Sequence, residues 1–165
     1  MLQIKEYFSQ YSSQKKIAKF LLETGLSVED GEIYCNGIQM SPLRISRVLD
    51  VDRRTVNSTI KTIEDHEDLK KIYKNLKSTA FYGDVVKEID AGMIEIVPTD
   101  PHGIGILAGV TTIIAKHNVS VRQCITEDPE FTEEPKLMVI TEDAIPMETL
   151  EEIREIEGVE RVVLY

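Results

Sequence analysis

The stretch SPLRISRVLDVDRRTVNSTIKTIE, residues 41–64, reads as two short helices joined by a tight turn. Ser41 is a good N-cap, and Pro42 suits the first helical position, where no backbone N–H is needed. The apolar stripe of the first helix is expected at Leu43, Ile45, Val48 and Leu49. Asp50, Val51 and Asp52 form the turn, with Asp52 capping the second helix. Val51 and Val56 stand at the two positions of a hydrophobic staple, which fixes how a chain enters a helix. Val56, Ile60 and Ile63 then recur at i, i+4 and i+7 and share one face. At about 100° per residue, Arg54, Asn57, Ser58 and Lys61 point roughly the other way, with Arg53 on the flank. Two helices joined in this way make a helix-turn-helix, whose second helix enters the major groove of duplex DNA. Arginine pairs with guanine, asparagine with adenine, and serine or lysine with phosphates or base edges. Arg53, Arg54, Asn57, Ser58 and Lys61 are therefore the candidate DNA contacts, on a face free of acids until Glu64 and Asp65.

The charge of the whole chain argues the other way. Its 165 residues carry a net charge of −10, which repels DNA. The acidity is not evenly spread, however. Residues 1–88 hold fourteen Lys and Arg against thirteen Asp and Glu, a net of +1; residues 89–165 hold five against sixteen, a net of −11. Such asymmetry between halves points to separate jobs. Screening confines the acidic half's influence to roughly 8–10 Å at ordinary salt, so a near-neutral N-terminal half can still present a basic face.

Around the helix-turn-helix, SSQKKIAKFLLETGLS is an amphipathic helix with Ile17, Phe20 and Leu21 inward and Gly25 as its stop. Asn36-Gly37 between two β-like runs signals a two-residue hairpin. HEDLKKIYKNLKS is a further helix, apolar at Leu69, Ile72, Tyr73 and Leu76. Its lysines, Lys70, Lys71, Lys74 and Lys77, form a solvated face within reach of a DNA backbone.

The second half, residues 89–165, alternates differently. GMIEIVPTD is a strand. The following helix is apolar at Ile106, Leu107, Val110, Ile113 and Ile114, and Asn118 tolerates the left-handed conformation that ends it. VSVRQCITED and KLMVITE are strands flanking the hairpin loop PEFTEEP. A helix with Met147, Leu150, Ile153 and Ile156 inward ends at Gly158, and VERVVLY closes the chain as a strand. The order β-α-β-β-α-β is the ferredoxin-like motif. The fold class is accordingly α+β: a mostly helical N-terminal domain with a short hairpin, residues 1–88 including a linker, and a ferredoxin-like domain, residues 89–165. Both helices of the latter lie on one sheet face, so the other face is expected to be bare and in want of a partner.

The loop PTDPHGIGIL, residues 98–107, joins a strand to a helix and contains Gly103 and Gly105. Glycines allow close approach of a ligand to the backbone, and the amides of a helix N-terminus receive a carboxylate. An amino acid also carries an ammonium group, which Asp100 is placed to hold. A plain strand-to-helix turn, with glycine serving only its conformation, is the alternative reading of the same residues. Gly105, Leu107 and the segment Asn118-Val119-Ser120-Val121 resemble the register of an ACT domain, a small regulatory module that binds amino acids. His102 stands where that pattern has an aspartate, and Ser120 where it has an asparagine. The resemblance implies a ligand site drawn from Asp100, His102, Gly103, Ile104, Gly105, Ile106, Leu107, Asn118 and Ser120. The two halves together resemble archaeal-type predicted regulators of amino-acid metabolism, which join a helix-turn-helix to an ACT domain.

That resemblance implies a cytoplasmic transcription regulator that binds duplex DNA, responds to an amino acid or similar metabolite, and forms a homodimer or higher homo-oligomer through its ACT half. A second reading is a regulatory or assembly subunit that never touches DNA and uses its N-terminal half for protein contacts. Cys35 and Cys124, far apart in the sequence, are expected as buried small hydrophobes. They and His66, His102 and His117 show no metal-ligand spacing, and no nucleophile–base pair stands out. No cofactor, metal or catalytic residue is expected, and the chain has no run of apolar residues or leader pattern suited to a membrane or export.

Overall fold

The computed structural model describes residues 4–129 and 132–165, so the expected hairpin loop at 129–135 lies partly outside the described residues. The chain divides into two compact units, Met1–Ala80 and Phe81–Tyr165.

The first unit contains α1 (Ile4–Tyr7), α2 (Ser12–Glu23), β1 (Ser27–Glu29), β2 (Glu32–Cys35), β3 (Ile38–Met40), α3 (Pro42–Leu49), α4 (Arg53–Asp65) and α5 (Glu67–Lys74). The expected hairpin is present: β2 pairs antiparallel with β3 across Asn36 and Gly37, both at positive φ. A second hairpin precedes it, because Asp30-Gly31 adopts the same conformation and pairs β1 with β2. The sheet therefore has three strands, one more than the sequence reading found. The Asp-Gly dipeptide is the signal that would have revealed the third.

α4 packs against α2, α3, α5 and β1, which makes it the centre of the unit. Its expected inward face is buried: Val56 and Ile63 are fully enclosed and Ile60 nearly so. Ile17 and Leu21 from α2, and Leu69 and Tyr73 from α5, are buried as well. The Tyr73 hydroxyl donates to the Ala18 carbonyl at 3.0 Å. Burial pushes its phenol well above the usual tyrosine range, so it stays a donor. Gly25 ends α2 at φ 66°, and a Cβ there would stand 2.3 Å from the Lys77 carbonyl oxygen. Glycine is thus required twice over, for its backbone angle and for the passage of the chain at Lys77–Ser78.

The α3 stripe needs correction. Ile45 and Leu49 are buried, together with Ser46, but Leu43 and Val48 are exposed. At 100° per residue, Leu43 and Val48 lie roughly 105–115° off the buried direction, too far round an eight-residue helix to reach the core.

The second unit contains a 3-10 turn at Gly83–Val85, then β4 (Gly92–Pro98), α6 (Ile106–Lys116), β5 (Val121–Thr126), β6 (Leu137–Thr141), α7 (Met147–Arg154) and β7 (Val159–Leu164). The strands form one antiparallel sheet in the order β5-β6-β4-β7. This is the ferredoxin-like arrangement, and the fold class is α+β. Ile94, Ile96 and Val139 of the sheet form one core with Val110 and Ile114 of α6 and Leu150 and Ile153 of α7. Asn118, at φ 59°, terminates α6 as expected. Met147 is exposed rather than inward, since it occupies the first position of α7, about 110° from the direction its buried residues share.

The unit begins at Phe81, eight positions before the expected residue 89. The reason is a second, smaller cluster. Val86 packs on Met93 and Ile140, on the sheet face away from the helices. The Tyr82 backbone N–H donates to Gln123 Oε1 at 3.0 Å, and the Arg122 guanidinium lies 5.7 Å from the centre of the Tyr82 ring. The segment read as linker thus covers one end of the face that was expected to be bare.

Candidate functional site

The helix-turn-helix is held by caps and cross-links. Asp52 Oδ1 accepts the Arg54 backbone N–H at 2.6 Å, the expected capping bond. Ser41 precedes α3 in extended conformation, but its side chain makes no capping bond. Asp50 takes the left-handed conformation at the end of α3, φ 51°, which turns the chain toward α4. Lys16, from α2, donates Nζ to the Leu49 carbonyl at 2.5 Å and so satisfies one orphan acceptor at the α3 C-terminus.

Arg53, Arg54, Asn57, Ser58 and Lys61 are all exposed. Arg54, Asn57, Ser58 and Lys61 share one side of α4, roughly opposite Val56, Ile60 and Ile63, with Arg53 on the flank, because α2, α3 and α5 take the apolar side. Ser58 is already engaged: its Oγ accepts from Gln14 Nε2 at 2.8 Å and donates to the Thr55 carbonyl at 3.0 Å. A polar groove of about 470 Å³ runs there, between the start of α2 and α4, lined by Tyr11, Ser12, Ser13, Thr55 and Ser58 among others. Gln14 stands 44 positions from its partner, too far for local spacing to reveal it.

Two of the α5 lysines face acids. Lys74 Nζ lies 2.7 Å from Glu29, whose carboxylate holds the lysine pKa above its ordinary value, and Lys70 lies 3.4 Å from Glu64. Lys71 and Lys77 are exposed.

In the second unit the loop between β4 and α6 is a small, self-bonded turn. Asp100 Oδ1 accepts the His102 N–H at 2.9 Å and lies 3.7 Å from His102 Nδ1, while the Gly103 N–H donates to the Asp100 carbonyl at 2.9 Å. Gly105 sits at the N-cap of α6 with φ 96°, and no side chain caps this helix. A Cβ at Gly105 would meet nothing within 4 Å, so glycine is there for its backbone angle. At Gly103 a Cβ would stand 3.0 Å from the Asp100 carbonyl oxygen, so that glycine is there for the tightness of the turn.

Two hollows flank Gly103. One is an open groove of about 470 Å³ that Asp100, Ile104 and Gly105 line with Ile156, Glu157 and Gly158. The other is a smaller cavity of about 100 Å³ between the start of α6 and the β5–β6 end of the sheet. Asp100, His102, Gly103, Ile104, Gly105, Ile106 and Leu107 thus come together around the start of α6. Asn118 and Ser120 do not join them. They lie beyond the C-terminal end of the eleven-residue α6, roughly 16 Å away along its axis. There the Ser120 carbonyl accepts the Glu142 N–H at 2.9 Å.

At that far end, Glu152 of α7 accepts from Lys116 Nζ at 2.7 and 2.9 Å and lies 3.0 Å from His117 Nε2. The bonds from Lys116 and His117 hold the Glu152 carboxyl below the usual carboxylate range. Neither cysteine is buried as expected: Cys35 is half-buried at the hairpin, and Cys124 is exposed on the edge strand β5, where half its neighbours are missing. Among the described residues, no group of three or more His, Cys, Asp or Glu side chains is placed to hold a metal ion, and no helix is long and apolar enough to cross a membrane.

No protein-family model matches this chain, and no curated protein does. Among solved structures the chain is similar to the ACT domain from the GTP pyrophosphokinase of Chlorobium tepidum, with 18% identity over 46% of this chain and 96% of that one, and a TM-score of 0.34. It is similar to the regulatory subunit of aspartate kinase from Thermus thermophilus, with 22% identity over 46% of this chain and 51% of that one, and a TM-score of 0.36. Over a longer span it is similar to an AsnC family transcriptional regulator from Agrobacterium tumefaciens, with 13% identity, 93% of this chain and 87% of that one covered, and a TM-score of 0.28.

Proposed function

We propose that this chain is a DNA-binding transcription regulator of amino-acid metabolism. Its first unit reads duplex DNA through α4, and its second unit binds an amino acid and joins two or more copies. The observation that carries the reading is the outward face of α4. Arg54, Asn57 and Lys61 are exposed side by side, with Arg53 exposed on the flank, on a helix whose start is capped by Asp52 and whose other side is buried by three neighbouring helices. A helix held so firmly presents its outer side chains at fixed positions, which direct readout of base edges requires. Lys71 and Lys77 add exposed cations for phosphates, whereas Lys70 and Lys74 are taken up by Glu64 and Glu29.

For the second unit the support is the start of α6. Its N-cap is a glycine and no side chain caps its first amides, which leaves them to a carboxylate. With an effector bound there, a change in how two copies are joined alters the spacing of their α4 helices, and operator half-sites are sensitive to that spacing. The chain acts by binding; it is not an enzyme.

The test is binding to duplex DNA across a salt series. Phosphate neutralisation makes the affinity fall linearly on a log–log plot, by orders of magnitude between roughly 50 and 200 mM salt when about 6–10 contacts are made. Absence of duplex binding at low salt, with the protein folded, would overturn the reading in favour of an assembly subunit.

A further inference from the structure

We propose that α3 is a second DNA-contacting element, which grips backbone phosphates through Arg44 and Arg47 while α4 occupies the groove. The inference rests on the reading of the first unit as a duplex-binding domain and adds two contacts outside the helix that reads. All four arginines of that unit, Arg44, Arg47, Arg53 and Arg54, fall within one stretch of eleven residues. Each is exposed, and among the described residues none of the four guanidinium groups has an ion pair or a hydrogen bond. Other cations are taken up inside the molecule. Lys16 bonds to the Leu49 carbonyl, Lys19 lies 3.5 Å from Glu23, and Lys74 and Lys70 face Glu29 and Glu64. In the second unit Arg122 pairs with Glu142, and Arg161 with Glu134 at 3.1 Å. An arginine surface left unpaired in a chain of net charge −10 is open to an anion from outside.

Helical period fixes where the two arginines of α3 stand. Its buried residues Ile45, Ser46 and Leu49 share one direction, and Arg44 and Arg47 lie about 145–155° from it. Leu43 and Val48 are exposed on either side of them, so charge separates the apolar groups and leaves no continuous patch for a protein partner. α3 itself contains no acid. The dimensions of the duplex then place it. The major groove is about 12 Å wide, and a helix with its side chains is about 10–12 Å across, so α4 alone fills it. A helix packed alongside, roughly 8–10 Å away, comes over the groove wall, where the phosphates stand. α3 packs on α4 and is joined to it by Asp50, Val51 and Asp52 alone. The planar fork of an arginine meets a phosphate with two parallel bonds, which adds geometry to charge.

The experiment measures the affinity of the full chain for a duplex of mixed sequence across a salt series. Each phosphate contact contributes about 0.9 to the log–log slope. The Arg44→Ala, Arg47→Ala double variant should therefore lose about two from the slope, and between roughly 50 and 200 mM salt its affinity should fall about tenfold less than the parent's. Neither side chain bonds within the unit and alanine favours a helix, so the variant should melt near the parent. Replacing both arginines by lysine keeps the charges and should keep the parental slope. Arg154→Ala, which removes an exposed arginine from α7, should leave the slope unchanged. Selection from random duplexes should return one motif for the parent and the double alanine variant, since phosphate contacts carry no base information. A folded double alanine variant with the parental slope would overturn the proposal and leave the duplex-binding reading standing, as would an equal loss of slope in Arg154→Ala. An altered motif would assign the two arginines to bases and overturn the backbone contact. If the folded parent binds no duplex at low salt, both fall.

Discussion

Gln14 Nε2 donates to Ser58 Oγ across 2.8 Å and ties the first turn of α2 to the middle of α4. Ser58 belongs to the outward side of α4 by helical spacing, yet its hydroxyl is bonded within the protein on both the donor and the acceptor side. It is thus expected to hold α4 in place and not to read bases. Gln14→Ala and Ser58→Ala should each lower stability by about 0.5–1.5 kcal/mol, and the double variant should cost little more than either alone. A chemical-denaturation double-mutant cycle measures this. Strict additivity would show that the pair makes no bond in solution.

Arg54 and Asn57 are expected to do the reading. Arg54→Ala and Asn57→Ala should each weaken specific DNA binding by about 1–3 kcal/mol and relax preference at one base position. Lys61→Ala should weaken binding to all duplexes alike and flatten the salt dependence by about one contact. Selection from random duplexes distinguishes these outcomes. Recovery of the parental motif at parental affinity by the Arg54→Ala, Asn57→Ala double variant would remove α4 from the interface.

The start of α6 offers a stability test independent of any ligand. Gly105 sits at φ 96° with open space around its α-carbon, so a side chain is strained by the backbone alone. Gly105→Ala should destabilise by about 1–3 kcal/mol. Asp100→Ala, which constrains no backbone angle and removes a side chain that is mostly exposed, should cost well under that. Thermal melts of both variants decide the matter, and equal melting would mean that the turn does not depend on the left-handed angle.

Oligomerisation should reside in the second unit, and it needs the segment that begins at Phe81. A fragment of residues 81–165 should fold and be dimeric or larger by light scattering. A fragment of residues 89–165 lacks Val86, which covers Met93 and Ile140, and should be less stable and prone to aggregate. A clean monomer for the longer fragment at high concentration would move the contact to the first unit.

Acid should weaken the join between α6 and α7. The Glu152 carboxyl lies below its ordinary pKa because Lys116 and His117 bond to it. A group depressed in this way contributes stability above its unfolded pKa, and the contribution disappears as pH falls through the folded value. Glu152→Gln should therefore melt below the parent near neutral pH, and the two curves should converge as pH falls below the ordinary carboxylate range. A gap that stays constant with pH would mean that the carboxylate is not stabilised by these partners.

Much of the architecture was legible because it is written in residues only a few positions apart. Asp52 caps α4, Asn36-Gly37 turns a hairpin and Asn118 ends α6, each through backbone preferences that act within one turn of chain. Helical period alone placed Val56, Ile60 and Ile63 inside and Arg54, Asn57 and Lys61 outside. What the sequence did not determine depends on which surfaces meet. Leu43, Val48 and Met147 are apolar but exposed, because short helices bury only one narrow face against their neighbours. The segment from Phe81 to Ala91 forms no longer element than a 3-10 turn, and only Met93 and Ile140, brought side by side by β4 and β6, make Val86 a core residue. Ser58 was assigned to the reading face by period, and a partner 44 positions away gave it another bond. The cavity at the start of α6 has the same origin. Its walls come from two loops, a helix and three strands that are scattered in sequence, and packing of the whole sheet is what gives it a shape and a size.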